Sequence, residues 1–224
     1  MNVITVASRG VGTGKTTLTA RLAAIAQARR NRCLIIDADP QGTLAFCNSL
    51  NDDGVPPIVT AERGIARLLA MAGGNGYQWV FIDTSSTMWV VAQEAVRVAT
   101  LVVIPALPGF RELAAVRETV NLASEHNKPY AVVFNAAPPK RDGKEALMVR
   151  ESRTFLDKYG IPVWSGQISE RADLELDDAS ETGDVDAPSL AAAEITRLWT
   201  AIERSVDAVN AALAGAGRAQ DQAA

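Results

Sequence analysis

The run Ser8-Arg9-Gly10-Val11-Gly12-Thr13-Gly14-Lys15-Thr16-Thr17 leaves this chain few folds to choose from. It follows a short apolar segment, Val3 to Ala7, and opens a pattern with Leu18, Leu22 and Ile25 on one helical face. A strand, a glycine-rich turn ending Gly-Lys-Thr-Thr and a helix together form a phosphate-binding loop, because backbone N–H groups and the positive helix end converge on one anion. The glycines let the backbone curl with its N–H groups inward. Lys15 is then placed to reach the β- and γ-phosphates of a nucleoside triphosphate, and the Thr16 hydroxyl to ligate Mg²⁺. The candidate binding set for ATP or ADP is therefore Gly10, Val11, Gly12, Thr13, Gly14, Lys15, Thr16 and Thr17.

Apolar, β-branched runs alternate with helical-period segments along the chain, the pattern of an α/β, doubly wound, mostly parallel sheet flanked by helices. Strands are expected near residues 2–7, 33–37, 78–83, 100–105, 130–134 and 161–164, with ligand chemistry at their C-terminal ends. Residues 42–62 read as a long, switch-like connection with a short helix, and 63–72 as a further helix closed by Gly73-Gly74. Arg111 to Glu125 carries Leu113, Val116 and Val120 on one face, a core-facing helix.

Carboxylates gather where that sheet would bind its ligand. Cys33 to Ile36 runs into Asp37 and Asp39, and residues at i and i+2 of an extended segment point the same way, towards the loop's Mg²⁺ and γ-phosphate. The plainer alternative is an Asp-Pro turn after a strand. Trp79 to Ile82 is an apolar strand ending in Asp83, which is expected to hold a Mg²⁺-bound water, since a hard divalent ion takes oxygen ligands and keeps several waters.

The strict phosphate-loop pattern places a glycine five before Gly14, where this chain has Arg9. Together with Asp37-Ala38-Asp39-Pro40-Gln41-Gly42, that departure resembles the deviant Walker A ATPases of the ParA/MinD type, closest to ParA-like partition and positioning ATPases. Those proteins usually read Lys-Gly-Gly-x-Gly-Lys-Thr, and their first lysine reaches across a nucleotide-sandwiched dimer to the partner's phosphates. Gly10 and Val11 stand at the positions of that lysine and the glycine after it. The resemblance implies that Asp39 positions or activates the attacking water and that Asp37 supports the metal and Lys15. Asn135, at the end of the strand Ala131 to Phe134, corresponds to an asparagine that contacts adenine in related ATPases; a turn before Pro138-Pro139 explains it equally.

The resemblance further implies an ATP-dependent homodimer, non-specific DNA binding, slow hydrolysis stimulated by a ParB-like or adaptor partner, and a plasmid, chromosome or other body as cargo. Against it stands a hydrolysis-impaired, largely monomeric nucleotide-binding form. Gly10 removes the trans-acting charge, which leaves Arg9 one residue away to offset it, and Val11 is strained if its position needs φ > 0.

A formal net charge of −4 gives no global pull towards nucleic acid or anionic membrane, so DNA binding needs a local patch. Residues 140–158 hold Lys140, Arg141, Lys144, Arg150, Arg153 and Lys158 interleaved with acids, a solvated mixed-charge face or a DNA-backbone patch. Residues 170–186 are acidic around Arg171, the nearest match to a DNA-binding basic residue. The two cysteines, Cys33 and Cys47, form no metal-binding pair, and the single histidine, His126, is assigned no role. Ile195, Leu198, Ile202, Val206, Val209 and Leu213 trace an amphipathic helix whose mixed-sign polar face favours packing on the domain over membrane targeting. The expected organisation is an ATPase domain over 1–213 and a flexible tail over 214–224, in a cytoplasmic protein that is nucleoid-associated if it binds DNA.

Overall fold

The computed structural model describes residues 1–44, 56–170 and 190–221. Six parallel strands form one sheet in the order β3-β2-β4-β1-β5-β6: β1 Asn2–Val6, β2 Cys33–Ala38, β3 Ile58–Thr60, β4 Trp79–Thr84, β5 Leu101–Ala106 and β6 Tyr130–Phe134. Helices α1 Lys15–Ala28, α2 Ile65–Gly74, α3 Trp89–Val98, α4 Leu113–Glu125, α5 Leu147–Lys158 and α6 Leu190–Asp221 cover both faces. The sheet is wholly parallel, as strands buried on both sides and rich in Val and Ile require.

Period-two alternation sends Ile4, Val6, Ile35, Phe81 and Val103 to the face covered by α1 and α6. Their neighbours Val102, Ile104, Val132 and Phe134 pack on α4 and α5, and Leu34, Ile36, Val80 and Ile82 on α2 and α3. Trp199 of α6 is wholly buried, with its ring 4.7 Å from Trp79 and 5.9 Å from Phe81. Its neighbours Ile195, Leu198, Ile202 and Val206 complete a buried stripe, and the Arg29–Glu203 ion pair at 2.7 Å fastens α6 to α1.

Several expectations change. Residues 161–164 make only a single parallel bridge, Val132 to Val163, because Pro162 has no N–H to extend the ladder. The connection over 42–62 contributes an edge strand, β3, hydrogen-bonded to β2 and short because Pro56-Pro57 precede it. α2 starts two residues later than expected, after Gly64 with φ of 80°. α3, to which no element was assigned from the sequence, buries Ala92, Ala95 and Val96 at helical spacing. α6 buries its stripe to Val206 but leaves Leu213 exposed, and the helix continues past 213 to Asp221. Cys47, Arg171 and the acidic residues 171–186 lie outside the described residues. No helix among the described residues is long and apolar enough to cross a membrane.

Candidate functional site

The phosphate loop leaves β1 beneath a backbone bond from Ala7 N–H to the Val103 carbonyl, which ties it to β5. The buried Ser8 hydroxyl accepts the Gly10 N–H at 3.2 Å. Gly12 and Gly14 take positive φ of 70° and 78°, a region in which glycine carries no side-chain penalty. At Gly14 a Cβ would also collide with the Asn135 amide nitrogen. α1 starts at once, with Leu18 N–H bonded to the Gly14 carbonyl, so the N–H groups of its first turn stay open to an anion. Val11 is 76% exposed and lies outside the left-handed region, so the strain expected there is absent.

Lys15 is buried and donates to the Gly10 carbonyl at 3.1 Å. Burial pulls its ammonium below the ordinary lysine value, while the carboxylates of Asp83 and Asp39 oppose that shift. A desolvated cation with one carbonyl partner is a strong site for phosphate oxygens, because charge-assisted hydrogen bonds strengthen as the local dielectric falls.

Asp37 and Asp83 lie directly opposite each other on the adjacent strands β2 and β4. Asp83 accepts from Thr16 Oγ1 at 2.8 Å and from Thr19 Oγ1 at 3.2 Å. Burial, helped by Asp37, pushes the Asp83 carboxyl up to about 6 against the pull of Thr16, Thr19 and Lys15. Asp39 donates its N–H to Asp37 Oδ1 at 3.1 Å and accepts the Gln41 N–H at 3.0 Å on its own Oδ1. The Asp-Pro turn and the carboxylate pair are thus one arrangement, with Asp39 half-buried beside Lys15.

Lys15, Thr16, Asp37, Asp39 and Asp83 therefore meet at the C-terminal ends of β1, β2 and β4. Thr16 and Asp83 offer hard oxygens one hydrogen bond apart, and no cluster of three or more metal-ligating side chains exists among the described residues. That donor set fits Mg²⁺, which takes few protein ligands and completes its shell with phosphates and waters.

Asn135 directs its amide to the Thr13 carbonyl at 2.8 Å, so it braces the phosphate loop. Thr19 went unnoticed in the sequence, although it lies three residues beyond Thr16 on the same helical face. Arg9, the remaining cation of the loop, pairs with Glu118 Oε2 at 3.2 Å and stacks 4.9 Å from the Trp89 ring centroid. From the basic stretch, Arg153 binds Glu145 at 2.9 Å and the carbonyls of Trp164 and Gly166, a structural role. Glu194, one of the mixed-sign polar residues of the last helix, is buried and takes the Ser169 N–H and hydroxyl, both at 2.9 Å. Burial pushes the Cys33 thiol up to about 12, which leaves it unreactive at neutral pH.

The chain is similar to known proteins in sequence and in fold. A maintenance of carboxysome distribution protein A from Gloeobacter kilaueensis is 31% identical over 180 residues, covering 77% of this chain and 81% of the relative. A cobyrinic acid a,c-diamide synthase from Mycobacterium smegmatis, solved with an ATP analogue and magnesium, superposes with a TM-score of 0.68 at 19% identity, covering 91% of this chain and 95% of that one. The apo McdA from Cyanthece does so with a TM-score of 0.62 at 14% identity, covering 95% and 99%. At those identities the two structures speak for the fold alone, a P-loop NTPase sheet with its helices. The model of the CobQ/CobB/MinD/ParA nucleotide binding domain matches residues 4–183, from β1 past the phosphate loop, Asp37, Asp39 and Asp83, and the chain belongs to that family.

Proposed function

We propose that this chain is a Mg²⁺-dependent ATPase that positions an intracellular body, of the kind named in its carboxysome-distribution relative. The observation that carries this reading is the convergence of Lys15, Thr16, Asp39 and Asp83 at one end of the sheet, with open N–H groups at the start of α1. Lys15 neutralises β- and γ-phosphate charge as it leaves the Gly10 carbonyl. The Thr16 hydroxyl and the Asp83 carboxylate would hold the Mg²⁺ ion. Asp39, fixed by its bonds to Asp37 and Gln41, orients the attacking water, with Asp37 supporting Lys15 and the metal site. The metal ion, when bound, spreads the charge that develops on the transferred phosphoryl group.

ATP closes two subunits into a dimer that holds DNA non-specifically, and an adaptor on the cargo stimulates hydrolysis. A plasmid or chromosome is the alternative cargo. One observation favours a second reading, a largely monomeric form that binds nucleotide but hydrolyses it poorly: Gly10 offers no cation, and Arg9 is engaged by Glu118 and Trp89. Light scattering with Mg²⁺-ADP and then Mg²⁺-ATP, with phosphate release measured alongside, separates the two. A monomer that becomes a dimer with slow turnover supports the first reading. A nucleotide-bound monomer with little turnover supports the second, and absence of nucleotide binding overturns both.

A further inference from the structure

We propose that Arg9 is a positioning residue that acts within its own subunit, carrying the occupancy of the phosphate loop to the head of α3 through Trp89. The inference rests on the nucleotide reading above.

Arg9 is held at three points, each on the same subunit. Its N–H donates to the hydroxyl of Thr119, a wholly buried residue that is itself anchored to the Ala115 carbonyl of α4. Its Nε pairs with Glu118, one residue earlier on α4, and its guanidinium lies over the ring of Trp89, the first residue of α3. The ion pair alone would be a weak tether, because Arg9 and Glu118 are 40% and 60% exposed. The buried backbone anchor and the planar stack give it direction, since a guanidinium stacks on an aromatic face in a way that an ammonium does not.

Two parts of the candidate site bear on this contact. On one side, the Lys15 ammonium is bonded to the Gly10 carbonyl, on the residue next to Arg9. A phosphate that draws Lys15 away releases that carbonyl, which Thr13 Oγ1 also holds at 3.3 Å, and so alters the turn that begins at Arg9. On the other side, Trp89 follows Asp83 by only six residues. The Ser85 and Thr87 hydroxyls, 3.0 Å apart, tighten the intervening segment, and Trp89 N–H donates to the Thr87 carbonyl. The phosphate side and the metal side of the site therefore meet at one aromatic ring. An Arg9 turned towards a second subunit would have to give up both Glu118 and Trp89.

The test is intrinsic fluorescence of the full chain, with a Trp89→Phe variant subtracted to isolate the Trp89 emission, and calorimetric titration run in parallel with Mg²⁺-ADP and Mg²⁺-AMPPNP. The expected result is a shift in Trp89 emission on saturation that is lost in Arg9→Ala and also in Arg9→Lys, which keeps the charge but not the planar stack. Both variants should still titrate, with affinity reduced by no more than about tenfold. Binding heat without any Trp89 shift in the unmodified chain overturns the relay and leaves the nucleotide reading intact, as does a shift that survives in both variants. Absence of binding heat in the unmodified chain overturns the nucleotide reading and the relay with it.

Discussion

The Thr16 hydroxyl donates to the Asp83 carboxylate at 2.8 Å, joining the first turn of α1 to the end of β4. Burial holds the Asp83 carboxyl at about 6, against an ordinary value of 3.8. Between those values the folded chain keeps a proton that the unfolded chain has lost, so stability falls as pH rises from about 4 to about 6, and a penalty on the order of 2–3 kcal/mol persists above that. Asp83→Asn should therefore raise the melting temperature of the nucleotide-free protein at pH 7.5 and have no such advantage near pH 4. Thermal unfolding of both proteins in a chelator checks this; equal differences at the two pH values would refute it. The same variant should lose the dependence of nucleotide binding on Mg²⁺.

Lys15→Met should separate folding from binding. The ammonium is buried and its pKa depressed by desolvation, so an apolar side chain of similar length should leave the free protein as stable or more so. Nucleotide affinity should drop by about a hundredfold or more, since charge-assisted bonds to phosphate contribute about 1.5–3 kcal/mol each. Calorimetry alongside thermal unfolding reads both effects, and a variant that binds normally would remove Lys15 from the site.

Asp39→Ala should act on turnover and spare binding. Its carboxylate is held by the Gln41 N–H and its backbone N–H by Asp37, which fixes the side chain for the water-orienting role proposed above. Loss of a positioned base typically costs about 10²–10⁴ in rate. Phosphate release under single-turnover conditions is the measurement, and a rate within threefold of the unmodified chain would exclude the role.

Trp199 offers a test of the core. Replacing it by alanine should cost about 3–5 kcal/mol, the usual range for emptying a buried aromatic site. Its indole Nε1 is buried and meets no acceptor among the described residues, so Trp199→Phe forfeits no hydrogen bond and should cost far less. Chemical denaturation of the two variants distinguishes shape from polarity at this position.

Much of this site was legible in the sequence because its information is local. The phosphate loop, the Asp37–Asp39 pair and Asp83 each sit within a few residues of a strand end, and parallel pairing then aligns Asp37 with Asp83. What escaped was carried by distant partners. Asn135 braces Thr13, Arg9 is occupied by Glu118, and Glu194 closes on Ser169, pairs that only the folded sheet brings together. The strand Ile58–Thr60 was missed for a different reason: three residues after two prolines carry too little alternation to be seen. The helix Trp89–Val98 escaped because its β-branched start masks the buried alanines at helical spacing.

The seat of Trp199 between Trp79 and Phe81 sets an order for biosynthesis. The phosphate loop, α1 and the strands emerge from the ribosome before α6, so α1 alone covers its face of β1 and β4 until α6 has been translated as far as Val206. Until then the nascent chain carries the nucleotide-site residues on a sheet whose Trp79–Phe81 side is only partly covered, a species prone to aggregate or recruit chaperones. The residues that complete this part of the core are thus made well after the nucleotide-site residues they support, and the ability to hold nucleotide should appear only once α6 has docked.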